Sequence, residues 1–338
     1  MSERWDQMAR GVLAHYPVAS GGTEVTGLGN RGGFSGARLW RVTATGGALC
    51  LRAWPADGPS PESLHTIHQL MRAAREAGLT FVPAVLATRT GATWVQHAGR
   101  RWEVTTWMPG RADFHDRPAL PRLENVCTAL ARLHLSWSRH NPATGPCPGV
   151  RRRLARAYEW AAVLQSDWQP RLLAAGDPVF PWAGRAWDLL RRRIGDVPRR
   201  LAPWATRAVP LQPCLCDVWH DHVLFEGDAL SGLVDFGGVK RDHVAVDLAR
   251  LLGSLVPDDA GTRAAGLAAY RRLRSLSADE EALAAALDET GTLLGLATWL
   301  RWLYREERVF EDRTAVARRL AQLVGRLEDW EARIEDRG

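Results

Sequence analysis

Residues 216–238 read CDVWHDHVLFEGDALSGLVDFGG. Asp217 is followed five positions later by His222, and Asp235 lies thirteen beyond that, directly before Phe236-Gly237. Within the stretch, "HVLFEGDALSGLVDF" holds two apolar runs around a Glu-Gly-Asp turn, the pattern of a β-hairpin. A hairpin brings its two ends together, so Asp217, His222 and Asp235 can share one edge. "PLQPCLC", which ends at Cys216, reads as the strand leading in.

Three readings compete for that edge. Phosphoryl transfer needs a carboxylate to orient a hydroxyl, ligands for a divalent metal and a cradle for phosphates. Structural zinc is suggested by Cys214-x-Cys216 and His220-x-His222, because residues two apart on a strand share a face. Only three residues separate those pairs, and no loop of the usual length lies between them. The third reading is plain packing, with Cys214 and Cys216 as small core residues and His220 and His243 as loop hydrogen-bonders.

Upstream, residues 3–16 read as a short helix. "TEVTGL", "ARLWRVTAT" and "ALCLRAW" read as strands, with "TGG" at 45–47 as a hairpin turn and the glycine-rich "GNRGGFSG" between the first two. Ser60-Pro61 starts a helix that stops at Gly78. Two more strands, "VPAVLAT" and "TWVQHAG", precede "RRWEVTTWMPG", so residues 20 to about 108 form a β-β-β-α-β-β unit. After Gly110 the chain turns helical: 120–137, about 151–166 and 182–194, then 243–255, 259–274, 277–303 and 312–335. Residues 138–150 read as a loop rich in Pro and Gly. A β-rich part followed by a helical part is a two-lobed α+β plan, divided here into 1–108 and 109–338. Such plans bind ligands between lobes.

Composition narrows the classes. The 338 residues are 46% hydrophobic and 24% charged, the balance of a globular protein. No window holds about 18 uninterrupted apolar residues, so no membrane span is expected, and the first residues hold no apolar signal run. Five scattered cysteines suit reduced thiols and a cytoplasmic location. The net charge of +6 invites nucleic-acid binding, but Lys240 is the only lysine among 44 basic residues. The arginines are spread among acids, so nucleic acid is not an expected partner. Most of the 16 tryptophans are expected in the core.

The order Leu215-Cys216-Asp217, His222, hairpin, Asp235-Phe236-Gly237 resembles the aminoglycoside phosphotransferase and choline kinase-like family, small-molecule relatives of the protein kinases. There the loop reads His-x-Asp, with Asn five residues after the Asp, then a hairpin and Asp-Phe-Gly. "VAVDLARLLGSL" resembles the family helix whose Asp, here Asp247, braces the loop. "GNRGGFSGARLWRV" resembles the phosphate-covering loop, "ALCLRAW" the strand that carries a lysine, and "WEVTTWMPG" the adenine hinge. The resemblance spans about residues 20–335.

It implies a bilobal protein-kinase-like fold and a set of roles. Asp217 would orient the acceptor hydroxyl or take its proton. Asp235 and His222 would hold a divalent metal, Mg or Mn. Gly32, Gly33, Phe34, Ser35 and Arg52 would hold the phosphates of ATP or GTP, and Thr106, Trp107 and Met108 the base. The expected partners are the nucleotide and a small alcohol such as an aminoglycoside, amino alcohol or sugar-like metabolite. Arginines in the helical stretch 138–205 would suit an anionic acceptor. His134 resembles a family histidine buried behind the loop.

Three positions depart from the family pattern: Leu215 for His, Arg52 for Lys and His222 for Asn. Arginine is forked, so the phosphate geometry differs, and imidazole suits Mn or Zn better than Mg. No acid sits mid-helix to partner Arg52: Glu62 is near the start of the 61–77 helix, Glu76 near its end, and the middle offers His68 and Gln69. These departures motivate an alternative, a nucleotide-binding pseudo-kinase acting as scaffold or sensor.

Overall fold

A computed structural model describes residues 2–18, 23–29, 36–171, 176–257, 259–310 and 312–335. Gly32, Gly33, Phe34 and Ser35 lie outside the described residues. The chain forms two compact units that interleave in sequence. The first comprises 1–140, 217–240 and 264–275, the second 141–216, 241–263 and 276–338.

In the first unit, β1 (Glu24–Gly29), β2 (Arg38–Ala44), β3 (Gly47–Ala53), β4 (Val95–His97) and β5 (Arg100–Thr106) form one sheet in the order β1-β2-β3-β5-β4. Every pairing is antiparallel. α1 (Ser2–Leu13) covers it with Trp5 and Met8, against a core that includes Trp40, Leu51, Trp102 and Val104. The rings of Trp40 and Trp102 stack at 5.3 Å, and the Trp40 indole donates to Asp6 at 2.8 Å. Here the abundant tryptophan is core.

α2 (Pro61–Glu76) starts as its sequence dictates: Ser60 caps it by accepting from the Ser63 amide at 3.2 Å, and Pro61 fills the first position. Gly78 ends it in the left-handed region at φ 80°. Leu64, Ile67, His68, Leu70, Met71 and Ala74 form its buried face.

Residues 82–88 are not a strand. Pro83 supplies no amide to a ladder, and the segment follows β5 through a single bridge, Val85 to Thr105, with flanking bonds to Val104 and Thr106. After β5, α3 (Leu120–Trp137) packs on the hairpin of β8 (Val223–Glu226) and β9 (Ala229–Leu233). α8 (Ala260–Arg271) contributes its later residues to this unit.

Gly110 makes the closest approach to that hairpin. Its φ is 92°, and a Cβ there would lie 2.5 Å from the Phe225 carbonyl oxygen. Arg111 and Phe225 exchange backbone hydrogen bonds at 3.1 and 2.9 Å beside it. Gly110→Ala is expected to lose roughly 2–4 kcal/mol of stability, since both backbone conformation and space refuse a side chain. Urea denaturation measures it, and an unchanged midpoint would contradict this packing.

In the second unit, β6 (Ala143–Pro146), β7 (Ala208–Cys214) and β10 (Lys240–Asp242) form a sheet in the order β10-β7-β6. The loop expected at 138–150 thus contains a strand. Its sequence, ATGP, alternates too little to show it, and backbone pairing with β7 makes it. The helices are α4 (Pro148–Gln165), α5 (Phe180–Arg193), α6 (Asp196–Leu201), α7 (Ala245–Leu255), α9 (Ala278–Tyr304) and α10 (Arg313–Glu335). The short α6 carried no periodic signal. Asp242 is fully buried and fixes the start of α4, accepting from the Gly149 amide at 3.0 Å and from Arg152 at 2.5 Å.

Candidate active site

The hairpin closes on a two-residue turn, Gly227-Asp228, between the paired Glu226 and Ala229. Gly227 takes φ 61°, which a tight hairpin turn requires. A bulge between Leu224 and Phe225 shifts the register by one residue, so that Val223 lies opposite Leu233, and the Val234 amide bonds the His222 carbonyl at 3.0 Å. That pairing sets the His222 Nε2 3.6 Å from the Asp235 Oδ2. On the other side the His222 Nδ1 donates to the Asp217 carbonyl at 2.8 Å. Asp217, His222 and Asp235 therefore do gather at one edge, as the spacing predicted. The Asp217 side chain is exposed, His222 is buried, and Asp235 is partly buried.

Two bonds define the His222 tautomer. The indole Nε1–H of Trp219 can only donate, and it points at Nε2 from 2.9 Å. Nε2 is therefore an acceptor and Nδ1 carries the proton. The ring is neutral in this arrangement, so its contact with Asp235 is not an ion pair.

Asp235 sits at φ 63°, ψ 71°, in the left-handed region. Its Oδ1 accepts from Arg52 Nη1 at 2.8 Å. Burial opposes ionisation of Asp235, but the Arg52 guanidinium, through its charge and its hydrogen bond and with a further bond from the Gly237 amide, holds the carboxyl below the usual range. The Arg52 guanidinium lies over the Trp54 ring at 4.6 Å. Gly237 backs onto the same ring, where a Cβ would come within 2.6 Å of it. The glycine of Asp-Phe-Gly is thus required by Trp54.

Arg52 has an acidic partner that the sequence reading missed. β3 pairs β5 with Arg52 directly opposite Glu103, and the Arg52 Nε lies 3.7 Å from the Glu103 Oε1. His68, carried inward by the buried face of α2, bonds the Glu103 Oε2 at 2.7 Å. The helix supplies a histidine, and the strand supplies the carboxylate. Burial pushes the Glu103 carboxyl up, and His68 and Arg52 together outweigh it, leaving it below its usual range. The chain His68–Glu103–Arg52–Asp235 runs through the first unit.

Thr106 and Trp107 spend their amides on protein carbonyls, Ala84 at 2.9 Å and Ala48 at 3.0 Å. Met108 is buried against the hairpin, where a Cβ on Gly232 would meet its side chain at 2.7 Å. His134 is fully buried and bonds the Tyr270 hydroxyl at 2.7 Å.

In the second unit, Asp247 is fully buried near the start of α7. Its carboxylate accepts from the amides of Leu215 at 2.7 Å and Cys216 at 2.6 Å. Cys216 takes φ 62°, a conformation that costs a non-glycine residue on the order of 1–3 kcal/mol and is held by such bonds. The Cys214 thiol is buried and points at the Asp242 carbonyl, 3.5 Å away. Among the described residues, Cys214, Cys216, His220 and His222 do not bring their ligand atoms together as the zinc reading requires.

A divalent ion fits Asp235 and His222 in donor chemistry. The proton on Nδ1 leaves the Nε2 lone pair for a ligand, an arrangement common among metal-binding histidines. That ion would displace the Trp219 indole from Nε2 and compete with Arg52 for Asp235.

The sheet, the Asp-to-Asp-Phe-Gly hairpin and the helical part define the fold of the small-molecule kinases. The description "Phosphotransferase enzyme family" matches residues 26–285, and the chain belongs to that family of enzymes. It is 32% identical over 226 residues to a homoserine kinase of Nitrobacter winogradskyi, covering 64% of this chain and 62% of that one. With the homoserine kinase of Acidiphilium cryptum the identity is 29%, over 59% of this chain and 57% of the relative. The chain thus spans less than two thirds of the length of these relatives. The fold also matches a spectinomycin phosphotransferase solved with ADP and spectinomycin, with TM-score 0.65 and 10% identity over 95% of this chain and 96% of that one. A microcompartment-associated aminopropanol kinase matches with TM-score 0.58 and 17% identity, over 94% and 95%. No helix among the described residues is long and apolar enough to cross a membrane.

Proposed function

We propose that this enzyme moves the γ-phosphate of ATP or GTP to the hydroxyl of a small molecule, with Asp217 at the acceptor and Arg52 and Asp235 at the phosphates. Residues 1–108 cover the nucleotide in this reading, and 109–338 carry the catalytic loop and acceptor pocket. The observation that carries it is the hairpin register, which gathers an exposed Asp217, His222 and Asp235 while Arg52 reaches Asp235 at 2.8 Å. The neighbours solved with ADP or a nucleotide analogue agree with a nucleotide co-substrate.

The acceptor oxygen forms a bond to the γ-phosphorus as the bond from that phosphorus to the β-phosphate oxygen breaks, and the acceptor proton passes to Asp217. Arg52 lends a forked cation to the phosphates, held in place by Glu103 and His68. Gly32, Gly33, Phe34 and Ser35 supply the covering loop, and Thr106, Trp107 and Met108 line the base. Asp247 holds the two amides that precede Asp217. Asp235 and His222 would hold the divalent ion, which when bound neutralises phosphate charge.

The test is thermal shift with ATP, GTP and ADP, each with Mg²⁺, Mn²⁺ or no metal, followed by transfer assays. Metal-dependent stabilisation is expected, and none by any combination would overturn the reading. His222→Asn is expected to move the metal preference toward Mg²⁺, because an amide oxygen replaces an imidazole nitrogen. An unchanged preference would remove His222 from the metal.

A further inference from the structure

Arg52, which stands where the family carries lysine, has a neighbour suited to a flat cation. Arg52 and Trp54 are two residues apart at the end of β3, a spacing that places both side chains on one face of the strand. There the guanidinium carbon lies 4.6 Å from the centre of the Trp54 ring. Trp54 itself is firmly held. It is 5% exposed, its amide donates to the Arg101 carbonyl at 2.9 Å, and its carbonyl accepts from the Arg100 Nη1 at 3.1 Å. The six-membered end of its ring abuts Gly237, where a Cβ would lie 2.6 Å from Cη2 and 2.8 Å from Cζ3.

The surroundings give each part of the Arg52 guanidinium a place. Its face lies on Trp54. Along its edge, Nε lies 3.7 Å from the Glu103 Oε1, and Nη1 donates to the Asp235 Oδ1 at 2.8 Å. Among the described residues, Nη2 donates to none. All of these groups belong to the first unit. A guanidinium is a rigid planar fork, so holding its face and two of its nitrogens also fixes the direction of the third. The two carboxylates alone would let the plane tilt about the line between them, and the Trp54 ring opposes that tilt. An ammonium on a flexible stem has neither a plane to be held nor a second nitrogen to aim.

We propose that Trp54 is a positioning residue: its ring holds the plane of Arg52 so that Nη2 donates to a phosphate of the bound nucleotide. The proposal rests on the phosphotransfer reading and deepens it. Arginine in place of lysine is then one half of an Arg-Trp pair built for phosphate, not the mark of a decayed site.

A double-mutant cycle on ADP binding, measured by calorimetric titration with Mg²⁺, tests it. Trp54→Leu is expected to raise the Kd for ADP by about 3- to 30-fold, the scale of a partly desolvated cation–π contact. Arg52→Lys keeps the charge and loses the fork, so it too is expected to weaken ADP. Adding Trp54→Leu to Arg52→Lys is expected to change the Kd by less than about twofold, because no plane remains to be held. A tryptophan that acted by packing alone would cost the same in both backgrounds. Trp54→Phe, with a smaller ring, is expected to fall between, and it completes the cycle if Trp54→Leu does not fold. Equal losses in the two backgrounds, or a loss under about twofold beside Arg52, overturn the proposal while ADP binding by the wild type keeps the phosphotransfer reading standing. A wild type that binds no ADP overturns that reading, and the role of Trp54 falls with it.

Discussion

Asp217→Ala is expected to lower kcat by about 10²–10⁴-fold, the usual contribution of a positioned proton acceptor. Nucleotide binding and folding should survive, because the Asp217 side chain is exposed and its contact with His222 is made by the backbone carbonyl. The variant keeps that carbonyl, so His222 retains its tautomer and its place beside Asp235. The expected signature is a fall in kcat with an unchanged thermal shift by ATP and metal. A kcat within about threefold of wild type would remove Asp217 from the chemistry. A loss of nucleotide binding would mean that its role is architectural.

The largest stability effect is expected at Glu103. It is 6% exposed, His68 is 1% exposed, and both His68 and Arg52 depend on it. Glu103→Ala leaves a buried imidazole and a largely buried guanidinium without their acceptor, which costs on the order of 3–5 kcal/mol. Nucleotide affinity should fall with it, because Arg52 keeps only Asp235 as a charged anchor. Glu103→Gln preserves volume and one hydrogen bond, so its loss should be smaller. Urea unfolding and nucleotide titration of both variants check this, and an alanine variant as stable as wild type would refute the arrangement.

A pH dependence follows with a definite sign. Glu103 and Asp235 both titrate below their ordinary ranges in the folded protein. Their contribution to stability is therefore complete above the unfolded values of about 4.3 and 3.9, and it is lost as pH falls through the lower folded values. The unfolding free energy of the wild type should decline in acid, and Glu103→Gln should flatten that decline.

The sequence carried the local features and lost the distant ones. Ser60-Pro61 and Gly78 mark the bounds of α2 because capping and left-handed backbone are decided by neighbours in the chain. The hairpin was legible for the same reason, since its turn is local, but the bulge between Leu224 and Phe225 that shifts its register by one residue was not. Glu103 escaped because it meets Arg52 across β3 and β5, which are separated by a helix and a third strand, and no local rule fixes that register. His68 stood in the sequence as the mid-helix residue, yet its meaning depends on Glu103. Pro83 should have demoted the strand expected at 82–88.

Arg52 has one further consequence, for labelling chemistry. Acyl-phosphate nucleotide reagents tag kinases by acylating an amine beside the phosphates. In the proposed arrangement that position presents the Arg52 guanidinium, which stays protonated at any working pH and is a poor acyl acceptor. The single lysine of the chain, Lys240, sits exposed on β10. Activity-based surveys that capture lysine adducts would pass over this enzyme even when it is fully charged with nucleotide, whereas arginine-selective dicarbonyl reagents, with protection by nucleotide, would register it.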